Sequence, residues 1–171
     1  RCTSRGLGDV YKRQPNDDTS ADMYDLTLSL CEDRGLVSYE VSNYAHQGYE
    51  SIHNLIYWRY GDYIGIGPGA HGRLTIDGKK YATETVLSPE AWLKKVECDG
   101  SGESNSVVLT DQQQAAEFVM MGLRLKEGIN YQRFKNLSGS AFSKTKLNFL
   151  KDLNLIKEKG GYIATTNSGR K

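Results

Sequence analysis

Tyr39 to Leu74 read YEVSNYAHQGYESIHNLIYWRYGDYIGIGPGAHGRL, and near their end Gly65, Gly67 and Gly69 recur at every second position. In an extended chain these three glycines share one face, while Ile64 and Ile66 share the other. The spacing predicts a strand region over Asp62–Leu74 with one packable face and one face without side chains. Glycine weakens a strand by roughly 0.5–1 kcal/mol relative to alanine, so the series calls for a reason. A ligand or another backbone approaching closely supplies one. A bulged, tightly packed barrel strand with no ligand fits the same spacing. The series is not a G-x-G-x-x-G phosphate fingerprint, because Pro68-Gly69 follows Gly67 and no helical pattern opens there.

Upstream, His53-Asn54-Leu55-Ile56-Tyr57-Trp58 is dense in ligand-type side chains. A neutral imidazole is a good donor to iron or zinc, and tyrosine and tryptophan combine a flat apolar body with a polar tip. As a helix this segment puts His53 and Tyr57 on one face; as a strand it aligns His53, Leu55 and Tyr57. A hydrogen-bonded structural histidine is the alternative. His46, His53 and His71 match no common zinc spacing. Asn43 to Trp58 as a whole reads as irregular.

Working outward, residues 18–34 read as a helix with Asp17, Asp18 or Thr19 as cap, a Met23–Leu26–Leu30 stripe and Gly35 as the stop. Val37, Tyr39 and Val41 alternate in the strand pattern Leu36–Ser42, so helix leads into strand, as in α/β folds. Asp77-Gly78 predicts a hairpin between Leu74–Ile76 and Tyr81–Thr83. Ser88-Pro89-Glu90 opens a short helix with Trp92, Leu93 and Val96 inward. Asp99–Ser106 reads as a linker by composition. Thr110-x-x-Gln113 is a capping box for a helix to about Lys126, with Ala115, Phe118, Val119 and Gly122 facing a core. Tyr131–Asn136, a helix over about Ser140–Leu153 and a Gly160-Gly161 hairpin complete a winged-helix-like order.

The chain has 171 residues, 38% apolar and 25% charged, with a formal charge of +1, the balance of a globular protein. No run is long and apolar enough to span a bilayer, and no stretch has the apolar core of a signal peptide. Cys2, Cys31 and Cys98 are odd in number and far apart, which argues for a reducing compartment and against a disulfide framework. No C-x-x-C pair occurs. Arg1–Gln14 lacks periodicity and reads as a non-native stretch of translated adapter, the alternative being a native basic arm. Its Arg1, Arg5, Lys12 and Arg13 face Asp9 alone, so the rest of the chain is net acidic and bulk charge does not support nucleic-acid binding.

The Tyr39–Leu74 block resembles the oxygen-independent coproporphyrinogen III oxidase family of radical S-adenosylmethionine (radical SAM) proteins. HNLIYW is similar to the H-N-x-x-Y-W signature of its HemW, heme-chaperone branch, and GLRLKEGIN (Gly122–Asn130) to the start of the family's C-terminal domain. The resemblance implies an α/β chain: the C-terminal part of a partial (β/α)6 barrel, followed by a mainly helical, winged-helix-like domain. The implied division is 15–98 as barrel, 99–106 as linker and 107–171 as a truncated HemN-type domain. The family's C-x3-C-x2-C motif for a [4Fe–4S] cluster is absent, so these residues alone are expected to bind no cluster and to be inactive.

By the same resemblance His53 is the axial ligand of heme iron, with Tyr57 and Trp58 near the porphyrin. Gly65, Gly67, Gly69, Ala70 and His71 face S-adenosylmethionine through backbone atoms. The implied function is heme binding and delivery to acceptors such as respiratory enzymes, in the cytoplasm, with a homodimer and a transient membrane contact as further partners. The alternative is the oxidase reaction from coproporphyrinogen III to protoporphyrinogen IX. A third reading, nucleic-acid binding by Lys144, Lys146, Lys151, Lys157 and Lys159, ranks below a solvated face or a docking surface.

Overall fold

The computed structural model describes residues 14–170; the stretch Arg1–Gln14 read as non-native lies outside them but for Gln14. Helix α1 (Asp17–Glu32) is capped by Asn16, whose side chain accepts from the Thr19 amide, so the cap precedes the residues expected for it. Asp17 and Asp18 lie in the first turn, where carboxylates complement the helix dipole. Gly35, at φ +72°, stops the helix as expected. The Met23–Leu26–Leu30 stripe is exposed.

Strand β1 (Val37–Ser38) follows at once and pairs with β2 (Tyr44–Ala45). The expected alternation is inverted here: Val37 is exposed, while Ser38 and Glu40 are buried. The Ser38 hydroxyl donates to the Glu40 carbonyl, and the Glu40 carboxylate accepts from Asn43, the Ser42 amide and Arg124. A buried carboxylate is tolerable only when hydrogen-bonded and paired, and these partners meet that need.

Helix α2 (Ile52–Trp58) occupies ground read as irregular, with Ser51 as cap. Strands β3 (His71–Ile76) and β4 (Lys79–Thr85) form the expected hairpin, with Asp77 at φ +49° and Gly78 at φ +75°. Helix α3 (Pro89–Asp99) starts at the Ser88 cap with Pro in the first turn. Trp92 and Val96 are half-buried, but Leu93 is exposed. Part of the segment read as linker is strand β5 (Glu103–Val108), which pairs with β4. It lies at one edge of the β3-β4-β5 sheet with every residue exposed, so its polar composition matches its setting.

Helix α4 (Asp111–Gly122) carries the Thr110–Gln113 capping box and buries Ala115, Phe118 and Gly122. Then come β6 (Ile129–Asn130), α5 (Tyr131–Ser138), α6 (Lys144–Asp152), β7 (Ile156–Lys159) and β8 (Tyr162–Thr165), with sheet order β6-β8-β7. This is the winged-helix-like order. The main core lies here: Phe118, Ile129, Leu147, Ile156 and Ile163, joined by Tyr60 from the end of α2. The architecture is α/β. Among the described residues every strand pair is antiparallel.

Candidate functional site

The site grows from α2. Its seven residues follow the cap Ser51, whose side chain accepts from the Asn54 amide. His53 and Tyr57, four residues apart, share a helix face. The Tyr57 hydroxyl lies 2.8 Å from His53 Nε2, and the two rings meet edge to face at 4.6 Å. Tyr57 also meets Tyr63 edge to face at 4.3 Å, which links α2 to the start of the glycine segment. The Asn54 side chain donates to the Tyr39 hydroxyl at 3.1 Å. His53 itself is exposed.

The glycine segment differs from the expected strand. Gly67 and Gly69 have φ of +101° and +68°, so the chain turns there instead of running extended, a conformation glycine adopts readily. A Cβ on Gly65 would collide with the backbone of His71, so at that position another backbone is what the missing side chain admits. At Gly67 nothing lies within 4 Å of a Cβ position, so this part of the turn is open. Ile64 and Ile66, expected on a packed face, are 69% and 85% exposed.

Thr85 holds this turn, a role that sequence reasoning missed. Its hydroxyl donates to the Gly67 carbonyl at 2.5 Å and accepts from the Ala70 amide at 2.8 Å. The Gly69 amide donates to the Val86 carbonyl at 2.9 Å. The anchors are the last residue of β4 and the residue after it, and no short motif signals a single threonine facing a turn.

A second missed feature is the Arg73–Glu117 pair, which ties β3 to α4 with contacts of 3.0 and 2.8 Å. Burial alone pushes the Glu117 pKa up, but hydrogen bonds and charge from Arg73 outweigh it and hold the carboxyl below its ordinary value. Burial raises the nearby Tyr63 hydroxyl, an effect that Arg73 opposes.

The structure does not bring Trp58 together with His53 and Tyr57. Its ring lies under the Arg124 guanidinium at 4.4 Å and lines a cleft with Phe118, Gly122 and Arg133. His71 is exposed, with Nδ1 3.7 Å from Glu84, and His46 Nδ1 lies 3.0 Å from the Gly35 carbonyl. Among the described residues no group of three His, Cys, Asp or Glu side chains is placed to hold a metal ion.

Residues 109–171 match the family model described as the HemN C-terminal domain. The fold is similar to that of the Escherichia coli coproporphyrinogen III oxidase (HemN), a radical SAM enzyme, with a TM-score of 0.64 and 16% identity over 91% of this chain and 39% of that one. In sequence the chain is 31% identical to the heme chaperone HemW of Bacillus subtilis (strain 168) over 91% of its own length and 41% of that protein's. The chain belongs to the radical SAM HemN/HemW family. It is also 39% identical to the mitochondrial radical S-adenosyl methionine domain-containing protein 1 of Danio rerio, over 74% of this chain and 30% of that protein. The chain thus spans less than half the length of these family members.

Proposed function

We propose that this HemN/HemW-family chain is part of a heme-binding chaperone, with heme as its cargo and His53 as the iron ligand. The observation that carries the reading is the exposed imidazole of His53 on a capped, two-turn helix, with Tyr57 on the same face. Iron takes the unprotonated nitrogen of an imidazole, so binding weakens on acidification. In the structure Nε2 is engaged by the Tyr57 hydroxyl. Ligation through Nε2 therefore exchanges one hydrogen bond for a metal bond, which an exposed ring accomplishes by turning.

The open side of Gly67 supports contact with S-adenosylmethionine through the backbone of residues 65–71. Thr85 and Val86 hold that backbone in place. When bound, S-adenosylmethionine and a [4Fe–4S] cluster supply radical chemistry to such proteins. The cysteines Cys2, Cys31 and Cys98 have no spacing that fits a cluster, so no step is assigned to them. Delivery of heme to acceptors such as respiratory enzymes, in the cytoplasm, completes the proposal. No helix among the described residues is long and apolar enough to cross a membrane.

The test is a heme titration of the full-length protein and of His53→Ala. Loss of affinity with a shifted Soret band supports His53 as ligand. An unchanged affinity and band remove it from the site.

A further inference from the structure

We propose that Arg133, in the C-terminal domain, is a positioning residue for the His53 face of α2. The proposal rests on His53 as the heme ligand and names what fixes it in place.

Helix α2 has seven residues, well short of the ~12–15 that an isolated helix needs in water. Its geometry therefore depends on what grips its ends. The N-terminal end has the Ser51 cap. The C-terminal end closes through Tyr60, which sits at φ +55°. That left-handed conformation is uncommon for any residue but glycine. The Tyr60 amide donates to the Tyr57 carbonyl at 2.9 Å, and the Gly61 amide to the Ile56 carbonyl at 2.8 Å. A strained residue of this kind persists only where its surroundings over-determine it.

Those surroundings come largely from the C-terminal domain. The Tyr60 ring is buried in its core beside Phe118 and Ile129. The last carbonyls of a helix lack partners within it. Here Arg133 meets the two that follow α2, with Nη1 donating to the Arg59 carbonyl at 2.7 Å and Nη2 to the Tyr60 carbonyl at 3.1 Å. A cation at this end also complements the helix dipole. The guanidinium in turn lies 4.9 Å over the Phe118 ring. Lys80 adds a second cation from β4, donating to the Tyr60 carbonyl at 3.3 Å. A planar fork serves two carbonyls at once, which the point charge of a lysine does not. Arg133 therefore carries the placement of the C-terminal domain into the orientation of α2, and so of His53.

The experiment uses the full-length protein with hemin as the probe, in the wild type, Arg133→Gln, Arg133→Lys and His53→Ala. Hemin affinity, the Soret band and hydrogen exchange at the α2 amides are measured together. Arg133→Gln is expected to weaken hemin binding roughly tenfold, the scale of lost outer-shell support at a metal ligand. It should also shift the Soret band and speed α2 exchange, with Arg133→Lys in between. Wild-type affinity and band in Arg133→Gln, or in Arg133→Lys if the glutamine variant does not fold, overturn the proposal. His53→Ala separates the two ideas. If it leaves the band unchanged, the heme reading fails; if it alters the band while Arg133→Gln does not, the positioning role fails.

Discussion

The hydroxyl of Tyr57 occupies the Nε2 side of His53 at 2.8 Å, one helical turn along α2. Iron ligation through Nε2 displaces that hydroxyl. A neutral hydrogen bond of this kind has a net worth of about 0.5–1.5 kcal/mol, or about twofold to tenfold in affinity. Tyr57→Phe is therefore expected to tighten heme binding by that factor in an equilibrium titration. Weaker binding would show that the hydroxyl touches the porphyrin or that Nδ1 is the ligand.

The glycines of the turn separate packing from ligand access. Gly65→Ala drives a methyl group into the His71 backbone, which β3 and its hairpin partner hold in place. Overpacking of this type costs about 1–3 kcal/mol, to be read as a lowered denaturation midpoint. Gly67→Ala meets no neighbour within 4 Å, so its methyl group projects into open space. Its expected signature, beyond the strain of the φ of +101°, is weaker S-adenosylmethionine binding by calorimetry. Equal cofactor affinity in Gly67→Ala and wild type would move the cofactor away from this turn.

What could be read from the sequence was local. Asp77-Gly78, Gly160-Gly161 and the Thr110–Gln113 box act through the φ values and caps of their own residues, and each forms as expected. His53 and Tyr57 share a face under helical or strand spacing, so their pairing could be read although the helix that makes it could not. The burial of Ser38 and Glu40 could not be read, because Arg124, the cation facing Glu40, lies 84 positions away. Strand β5 was hidden for a related reason. An edge strand exposed along its length keeps the polar composition of a linker. The glycine spacing misled because a period of two in sequence says nothing about the sign of φ.

Thr85 makes the turn a defined structure, since one hydroxyl serves the Gly67 carbonyl and the Ala70 amide. Thr85→Val keeps the shape and removes both bonds. The half-buried partners then lose stabilisation of about 1–3 kcal/mol. Hydrogen exchange at Ala70 is expected to accelerate in Thr85→Val, while the capped helix α4 keeps its protection. Protection of Ala70 equal to the wild type would show that the backbone bonds, Gly69 to Val86 and Thr85 to Ala70, hold the turn without the hydroxyl.

The Arg73–Glu117 pair gives the acid response a specific origin. Both side chains are 19% exposed, so solvent screens the pair less than a surface ion pair. Burial pushes the Glu117 pKa up, but Arg73 overrides it and holds the carboxyl below its ordinary value. A carboxyl whose folded value is depressed adds stability above its unfolded value, and this is lost as pH falls through the folded value. The wild type is expected to lose this contribution below about pH 4.5. Glu117→Gln leaves Arg73 without its counter-charge and is expected to cost about 1–3 kcal/mol at neutral pH. The gap between the two proteins should then narrow as the unfolded chain takes up its proton and the pair's contribution falls. Urea unfolding at about pH 7 and about pH 3.5 measures it. A gap that stays constant across that range would place the acid sensitivity on other carboxylates.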